Sequence, residues 1–298
     1  MKLPRSLVVA LLAGALVCLA AAAQAPDYRL QLSDRVGQIS RYRLAFDLDM
    51  RAEYKATGTV DDGLQRLIGA LEEGMIVRTA VEYDERLVAV DPDGARTFDV
   101  RWHDYQFQGQ IGDKPIPEPP GRAEATRDLL AASAARVRTD PTGRTLAVEY
   151  SNSRARALVR QFEQAGVPTY LPEIPVRVGD SWTGRASFPL GTGLGVEESM
   201  ELDLVHTLSE VRQGPSGPVA VIGISGSYSR LQGIENVGLG SPLHMEASLT
   251  GSSLFNLQEG RFVGGQYEID MFALHATPEV EVQLVGHARG KLELLEAP

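Results

Sequence analysis

Period-two alternation governs this sequence. Leu44, Phe46, Leu48 and Met50 stand two apart, with Arg43, Asp47 and Asp49 among the residues that flank and separate them. Successive side chains on a strand point to opposite faces, so such a run buries one face and wets the other. The pattern returns at Phe98, Val100 and Trp102, at Leu146, Val148 and Tyr150, and at Met200, Leu202 and Leu204. It returns again at Leu243, Met245, Ala247 and Leu249, at Tyr267, Ile269 and Met271, and at Val280, Val282 and Leu284. Strands of a parallel sheet, buried on both faces, read as continuous apolar runs instead. The alternation therefore specifies an antiparallel architecture.

The connections agree. Asp91-Pro92-Asp93-Gly94 and Asp140-Pro141-Thr142-Gly143 each place Asp first, Pro second and Gly fourth. Proline presets the first turn dihedral, Asp accepts local backbone bonds, and glycine takes the exit conformation. Residues 213–218 and 258–260 separate further apolar runs and read as hairpin loops. The Asp-x-Asp-Gly fragment at 91–94 lacks the later glutamate of a calcium loop, and the turn reading takes precedence.

Helical spacing is rarer. Leu64, Leu67, Ile68 and Leu71 follow the i, i+3, i+4, i+7 rule between Asp61 or Asp62 and Gly74. A second candidate runs from Ser153 to Ala165 and a third from Ala123 to Ala134. The expected fold is mainly β: an antiparallel curved sheet or half-barrel, or two packed sheets, with two or three short amphipathic helices. Proline-rich stretches at 114–121 and 168–175 punctuate the chain. They divide it into an N-terminal β-rich half, 24–167, and a C-terminal antiparallel half, 168–298, with one continuous domain as the alternative. Val36-Gly37 and Val178-Gly179 open the two halves alike, a faint hint of duplication.

The first 23 residues have a different character. Lys2 and Arg5 precede an uncharged apolar stretch that ends in Ala21-Ala22-Ala23. Positive start, apolar core and small-residue exit are the layout of a secretory signal peptide, with cleavage expected after Ala23. Val17 before Cys18, and the apolar residues after it, argue against a lipoprotein. The mature chain would then have no thiol and no disulfide framework, and its destination would be the periplasm or the medium. Losing Lys2 and Arg5 takes the formal charge from −10 to −12. An acidic chain without basic clusters argues against nucleic acid as a partner. No segment after the signal is long and apolar enough to form a transmembrane helix.

One stretch carries a resemblance. Leu171-Pro172, Pro175-Val176 and Val178-Gly179-Asp180-Ser181-Trp182 are similar to a segment of exported bacterial β-rich families of unknown function. Phe255-Asn256-Leu257-Gln258-Glu259-Gly260-Arg261 resembles the late hairpin of the same families. The resemblance implies an envelope protein and brings no catalytic residues. A looser architectural likeness is to the half-barrel lipoprotein carriers of the periplasm.

Several residues invite a functional reading. In Gly179-Asp180-Ser181-Trp182, glycine permits a turn, Asp180 accepts local backbone bonds and Trp182 starts a strand by entering the core. Ser181 as a nucleophile would need a histidine base and an oxyanion hole, and no G-x-S-x-G elbow is present. The histidines at 103, 206, 244, 275 and 287 show no metal-binding spacing, so neither metal nor other cofactor is expected. His206 extends the apolar face of Leu202 and Leu204, and His275 that of Ile269 and Met271. Both are candidate ligand contacts in a shared cavity; the plain structural reading is a hydrogen-bonded histidine at a strand end. Trp102, His103, Tyr105 and Phe107 put aromatic rings on both faces of one strand. Either that strand is buried on both sides or a bulge at Asp104 shifts its register. An aromatic-lined ligand pocket competes there with a central core strand.

Three function classes follow. A non-enzymatic envelope scaffold or interaction protein, partnered by another envelope protein, fits all of these features. A carrier or sensor that holds an apolar small molecule against a curved sheet fits them too. A hydrolase ranks last for want of a catalytic constellation.

Overall fold

The computed structural model describes residues 26–56, 65, 69–116, 121–152, 168–189, 199–233, 242–276 and 280–295. The strands, in chain order, are β1 (Ile39–Ala56), β2 (Met75–Val90), β3 (Arg96–Ile111) and β4 (Lys114–Pro115). Helix α1 (Arg122–Ala131) comes next, then β5 (Ala134–Thr139), β6 (Thr145–Tyr150), β7 (Ser181–Pro189) and β8 (Ser199–Gly214). Last are β9 (Gly217–Gly233), β10 (Pro242–Asn256), β11 (Arg261–Ala276) and β12 (Val280–Leu295). They form a single sheet in the order β6-β5-β3-β2-β1-β12-β11-β10-β9-β8-β7, with β4 beside β3. Of the two architectures open from sequence, one sheet or two packed sheets, the chain takes the first.

The chain starts at the centre, meanders to the β6 edge, and returns from the β7 edge to the centre. There β12 pairs antiparallel with β1 from Arg41↔Leu295 to Ala56↔Val280. The two sequence halves thus share one sheet, joined along that seam.

The sheet curls. Laid flat, ten strand intervals would separate β6 from β7 by about 48 Å. Yet Leu171 donates its amide to Thr142 in the β5–β6 turn (2.8 Å), while the carbonyl of the preceding Tyr170 accepts from the Trp182 indole on β7 (2.7 Å). Two consecutive residues reach both edges, so the edges approach each other at this end. Among the described residues β6 and β7 do not pair, and the sheet stays open.

The same end is strapped. Tyr28 bridges Val176, the Ser33 amide reaches the Gly260 carbonyl (2.7 Å), and Gly37 and Gln38 bond Leu87. Residues 27–38 thus cross from the 168–180 segment to the β10–β11 turn and β2. Arg96 fastens this strap. Its guanidinium, 1% exposed, donates to the carbonyls of Leu32 (2.8 Å), Ser33 (3.1 Å) and Gly94 (2.8 Å) and to Asp34 (2.6 Å). All four turns expected from sequence sit here, and Gly94 and Gly143 close theirs with φ of 82° and 90°.

The faces divide as the alternation requires. The concave face holds the core: Leu44, Val81, Trp102, Leu202, Leu204, Leu249 and Tyr267 are buried on it. The convex face carries cross-strand ion pairs such as Arg185–Asp203, Arg289–Glu268 and Arg136–Asp99. Exposed pairs of this kind contribute at most about 1 kcal/mol each. They keep the outer face wet rather than hold the fold.

Helix is scarcer than the sequence spacing suggests. α1 lies within the third candidate and turns Leu129 and Leu130 onto the sheet, but Glu124, Arg127 and Asp128 leave it only weakly amphipathic. Residues 69–72 are helical and bury Leu71; Leu64, Leu67, Ile68 and the whole 153–165 candidate lie outside the described residues. Among the described residues no helix is long and apolar enough to cross a membrane.

Candidate functional site

The concave face is a trough with unlike ends. Near the strap it is filled: Leu208, Ile222 and Phe255 are 0% exposed. Farther along, a row crosses six neighbouring strands. Met75 of β2 pairs with Met50 of β1, Met50 with Gly286 of β12, and Gly286 with Met271 of β11. Met271 pairs with Ala247 of β10, and Ala247 with Tyr228 of β9. Met50, Met75 and Met271 are half-buried, as is Met245 next along β10.

Gly286 gives this row its shape. A Cβ built there would stand 3.1 Å from Met271 Cε and 3.4 Å from Met50 Cγ. The two thioethers therefore lean together over a position without a side chain. Methionine is unbranched, polarisable and adaptable, and it lines surfaces that accept apolar partners of varied shape. A half-exposed apolar face inside a curved sheet can take up an apolar molecule by burying it against this row.

The aromatic strand contributes to the same face. Register slips between Glu82 and Tyr83, so that Asp104 opposes Glu82 and Trp102 opposes Tyr83, leaving His103 as the extra residue. The slip puts Trp102, Tyr105 and Phe107 on the concave side and His103 on the other, where Nε2 lies 2.7 Å from Asp84. Asp104 accepts the Tyr105 amide at 2.8 Å across the bulge. Trp102 is buried among Leu44, Val81 and Leu130 and serves the core. Phe107 is half-buried and rests on Gly109 beside Ile116, nearer the accessible end.

The two candidate histidines stand on strands at different levels of the sheet. His206 is level with Ile224, Gly251 and Tyr267, whereas His275 pairs with Leu243 and Val282. Eight residues along β11 separate those levels, about 26 Å at the strand rise. The side chain of His275 lies outside the described residues. His206 is fully buried, stacked on Trp182 at 5.8 Å and edge-on to Tyr170 at 5.8 Å. Its Nε2 lies 3.1 Å from the Pro168 carbonyl, and its Nδ1 has no partner. Burial pushes its pKa below the ordinary value, so it is neutral at pH 7. His206 anchors the 168–171 segment to β8.

The Gly-Asp-Ser-Trp motif is a turn that feeds β7. Gly179, at φ 97°, donates to the Leu208 carbonyl, and Asp180 accepts the Arg177 amide at 2.8 Å. Ser181 shares a 2.8 Å bond with Thr207 on the convex side, while His206 faces the concave side. Gly184, two residues beyond Trp182, leaves room for the Tyr170 ring.

Three residues had no signal in the sequence. Arg96 follows a turn like many arginines. Glu85 lies on the concave side of β2, opposite buried Ser40, and burial raises its carboxyl to about 7. The same burial, together with the Glu85 charge, raises the Tyr42 and Tyr83 hydroxyls. Gln38, on the strap, has a buried Oε1 without a partner. The methionines were visible singly, but not as a row.

Comparison with known proteins adds a fold. The chain is similar to part of lipovitellin, in a structure that describes lipid–protein interactions in that protein, with a TM-score of 0.51. Identity is 11%, and the match covers 89% of this chain but 26% of lipovitellin, so this chain spans about a quarter of its length. The match to the type II secretin GspD of enteropathogenic Escherichia coli has a TM-score of 0.21, 10% identity, and coverage of 99% of this chain and 75% of the secretin. A score that low supports no structural argument. No protein-family model matches the chain, and no curated protein matches it.

Proposed function

We propose that the protein is a non-enzymatic carrier or sensor of an apolar molecule, a lipid or its acyl chains, held in the concave trough. The observation that carries this reading is the half-buried row from Met75 through Met50 and Met271, the last two with side chains against the bare position of Gly286. A core without a ligand has no need of an adaptable, accessible apolar face inside a curled sheet, whereas a binding surface does. The lipovitellin likeness supports the reading at the level of fold, since that protein's structure describes lipid–protein interactions. The first 23 residues, read as a secretory signal, support a carrier outside the cytoplasm, in the envelope or the medium.

The test is native mass spectrometry of the mature protein purified without detergent, followed by titration with phospholipid and fatty acid. A bound mass that is lost on denaturation, or uptake that falls in the Met50→Glu and Met271→Glu double variant, supports the carrier. A bare protein that takes up neither probe overturns it.

A further inference from the structure

The concave face changes character toward its open end. Beyond the row that ends at Tyr228, the next concave row runs from Arg230 of β9 to Met245 of β10, Ala273 of β11, Leu284 of β12 and Ala52 of β1. The row after it, at the mouth, runs from Gln232 to Leu243, His275, Val282 and Tyr54 on the same strands. Successive rows lie about 7 Å apart at the strand rise. On these five strands, Arg230 is the one permanently charged residue at a concave position from the methionine row to the mouth.

Its setting differs from that of arginines on the convex face. There Arg185 stands opposite Asp203, Arg289 opposite Glu268 and Arg136 opposite Asp99, each in cross-strand register with an acid. Arg230 stands opposite Met245, with Tyr228 and Gln232 as its concave neighbours on β9 and Leu243 and Ala247 diagonally across on β10. None of these is a carboxylate. An apolar lining gains nothing from a cation at this position, whereas an occupant that carries an anion does. A guanidinium takes a carboxylate or a phosphate through two parallel hydrogen bonds. Gln232 and His275, on strands about 10 Å apart, add hydrogen-bonding residues to the mouth row.

We propose that Arg230 receives the anionic head of an amphiphile whose tail lies along the methionine row. This rests on the trough as the site of an apolar ligand and adds the ligand's class: an acyl or alkyl chain that ends in a carboxylate or a phosphate and enters tail first. The tail meets Met271, Gly286 and Met50 one row in from Arg230. The head stops at the Arg230 row. Farther in, to buried Ile269 and Leu249, every concave position on these strands is uncharged. An ion carried there would lose its water and find no partner. The chain's formal charge is −10, so its overall field disfavours an anion and a preference for one must arise locally.

Calorimetric titration of the mature protein at about pH 8, where a carboxylate head is ionised, with dodecanoate, dodecyl phosphate and dodecanol tests this, each probe kept below its aggregation limit. The natural protein is expected to bind at least one of the anions about tenfold more tightly than the alcohol. Which anion is preferred tells a carboxylate head from a phosphate head. In Arg230→Gln all three affinities are expected to converge on that of the alcohol. Arg230→Glu is expected to favour dodecylamine over dodecanoate, an inversion that a merely structural arginine would not produce. Uptake of none of the probes by the natural protein would overturn the trough reading and the head site together. Uptake of the alcohol as tightly as both anions, or an anion preference that survives in Arg230→Gln, would overturn the head site and leave the trough standing.

Discussion

The indole nitrogen of Trp182 donates a 2.7 Å hydrogen bond to the carbonyl of Tyr170. The next residue, Leu171, reaches Thr142 at the opposite edge of the sheet. Trp182 thereby does more than fill the core: its bond ties the β7 edge to the segment that draws β6 toward it. Trp182→Phe keeps an aromatic ring against His206 but leaves the Tyr170 carbonyl without a donor. Leaving a part-buried acceptor unmade costs about 1–3 kcal/mol. Urea unfolding is expected to show that loss, and a neutral result would mean that the curl is held elsewhere.

Arg96 makes a stronger prediction. Its buried guanidinium satisfies three carbonyls and one carboxylate, two of the carbonyls and the carboxylate on the strap. Arg96→Met fills similar volume but removes every one of these bonds. The expected cost is about 3–5 kcal/mol, as for breaking a buried charged network. Limited proteolysis should then cut within 27–38 while the sheet survives. Intact protection of the strap in this variant would show that its backbone bonds and the packing of Leu30 suffice to hold it.

The alternation of Leu44, Phe46, Leu48 and Met50 was enough to place β1 and its buried face, and Pro92 and Pro141 were enough to place their hairpins. Both signals are local: pleat geometry and turn dihedrals act within a few residues. Strand order was not legible, because the pairing of β1 with β12 depends on contacts between the two ends of the chain. The aromatic strand shows the boundary. Its composition admitted either two buried faces or a bulge, and only the pairing partner on β2 locates the extra residue at His103. His206 and His275 each continued an apolar face, yet a sequence does not say at what height two strands stand beside each other. Arg96, Glu85 and Gln38 were silent because their roles come from a strap that folds across strands distant in sequence.

Gly286 provides a test of the trough that leaves the fold largely intact. In Gly286→Leu the new side chain displaces the thioethers of Met50 and Met271, which are flexible enough to give way. The stability cost is expected to stay near 1–3 kcal/mol, the range for overpacking. Uptake of an acyl-chain probe, followed by fluorescence displacement, should fall by about tenfold or more, as 1.4 kcal/mol of lost binding produces. Unchanged uptake in a folded Gly286→Leu protein would place any ligand away from the methionine row.

Buried His206 and half-buried Glu85 set opposite pH dependences, and separating them is the last prediction. Burial holds His206 below its ordinary 6.5, so the unfolded chain binds a proton that the folded chain refuses, and stability is lost as pH falls below 6.5. Burial holds Glu85 at about 7 instead of 4.5, so the folded chain keeps a proton that the unfolded chain releases. Its contribution is lost as pH rises from 4.5 to 7 and amounts to at most about 3 kcal/mol. Between pH 4.5 and 6.5 the two slopes oppose each other. Removing one exposes the other: relative to the natural protein, His206→Phe should gain stability as the solution is acidified, and Glu85→Gln should lose it. Urea midpoints measured at half-unit steps from pH 4.5 to 8 would show two difference curves of opposite sign. Curves of the same sign would mean that one of these groups finds in solution a partner or a water that relieves its burial, and the group whose curve has the wrong sign identifies which.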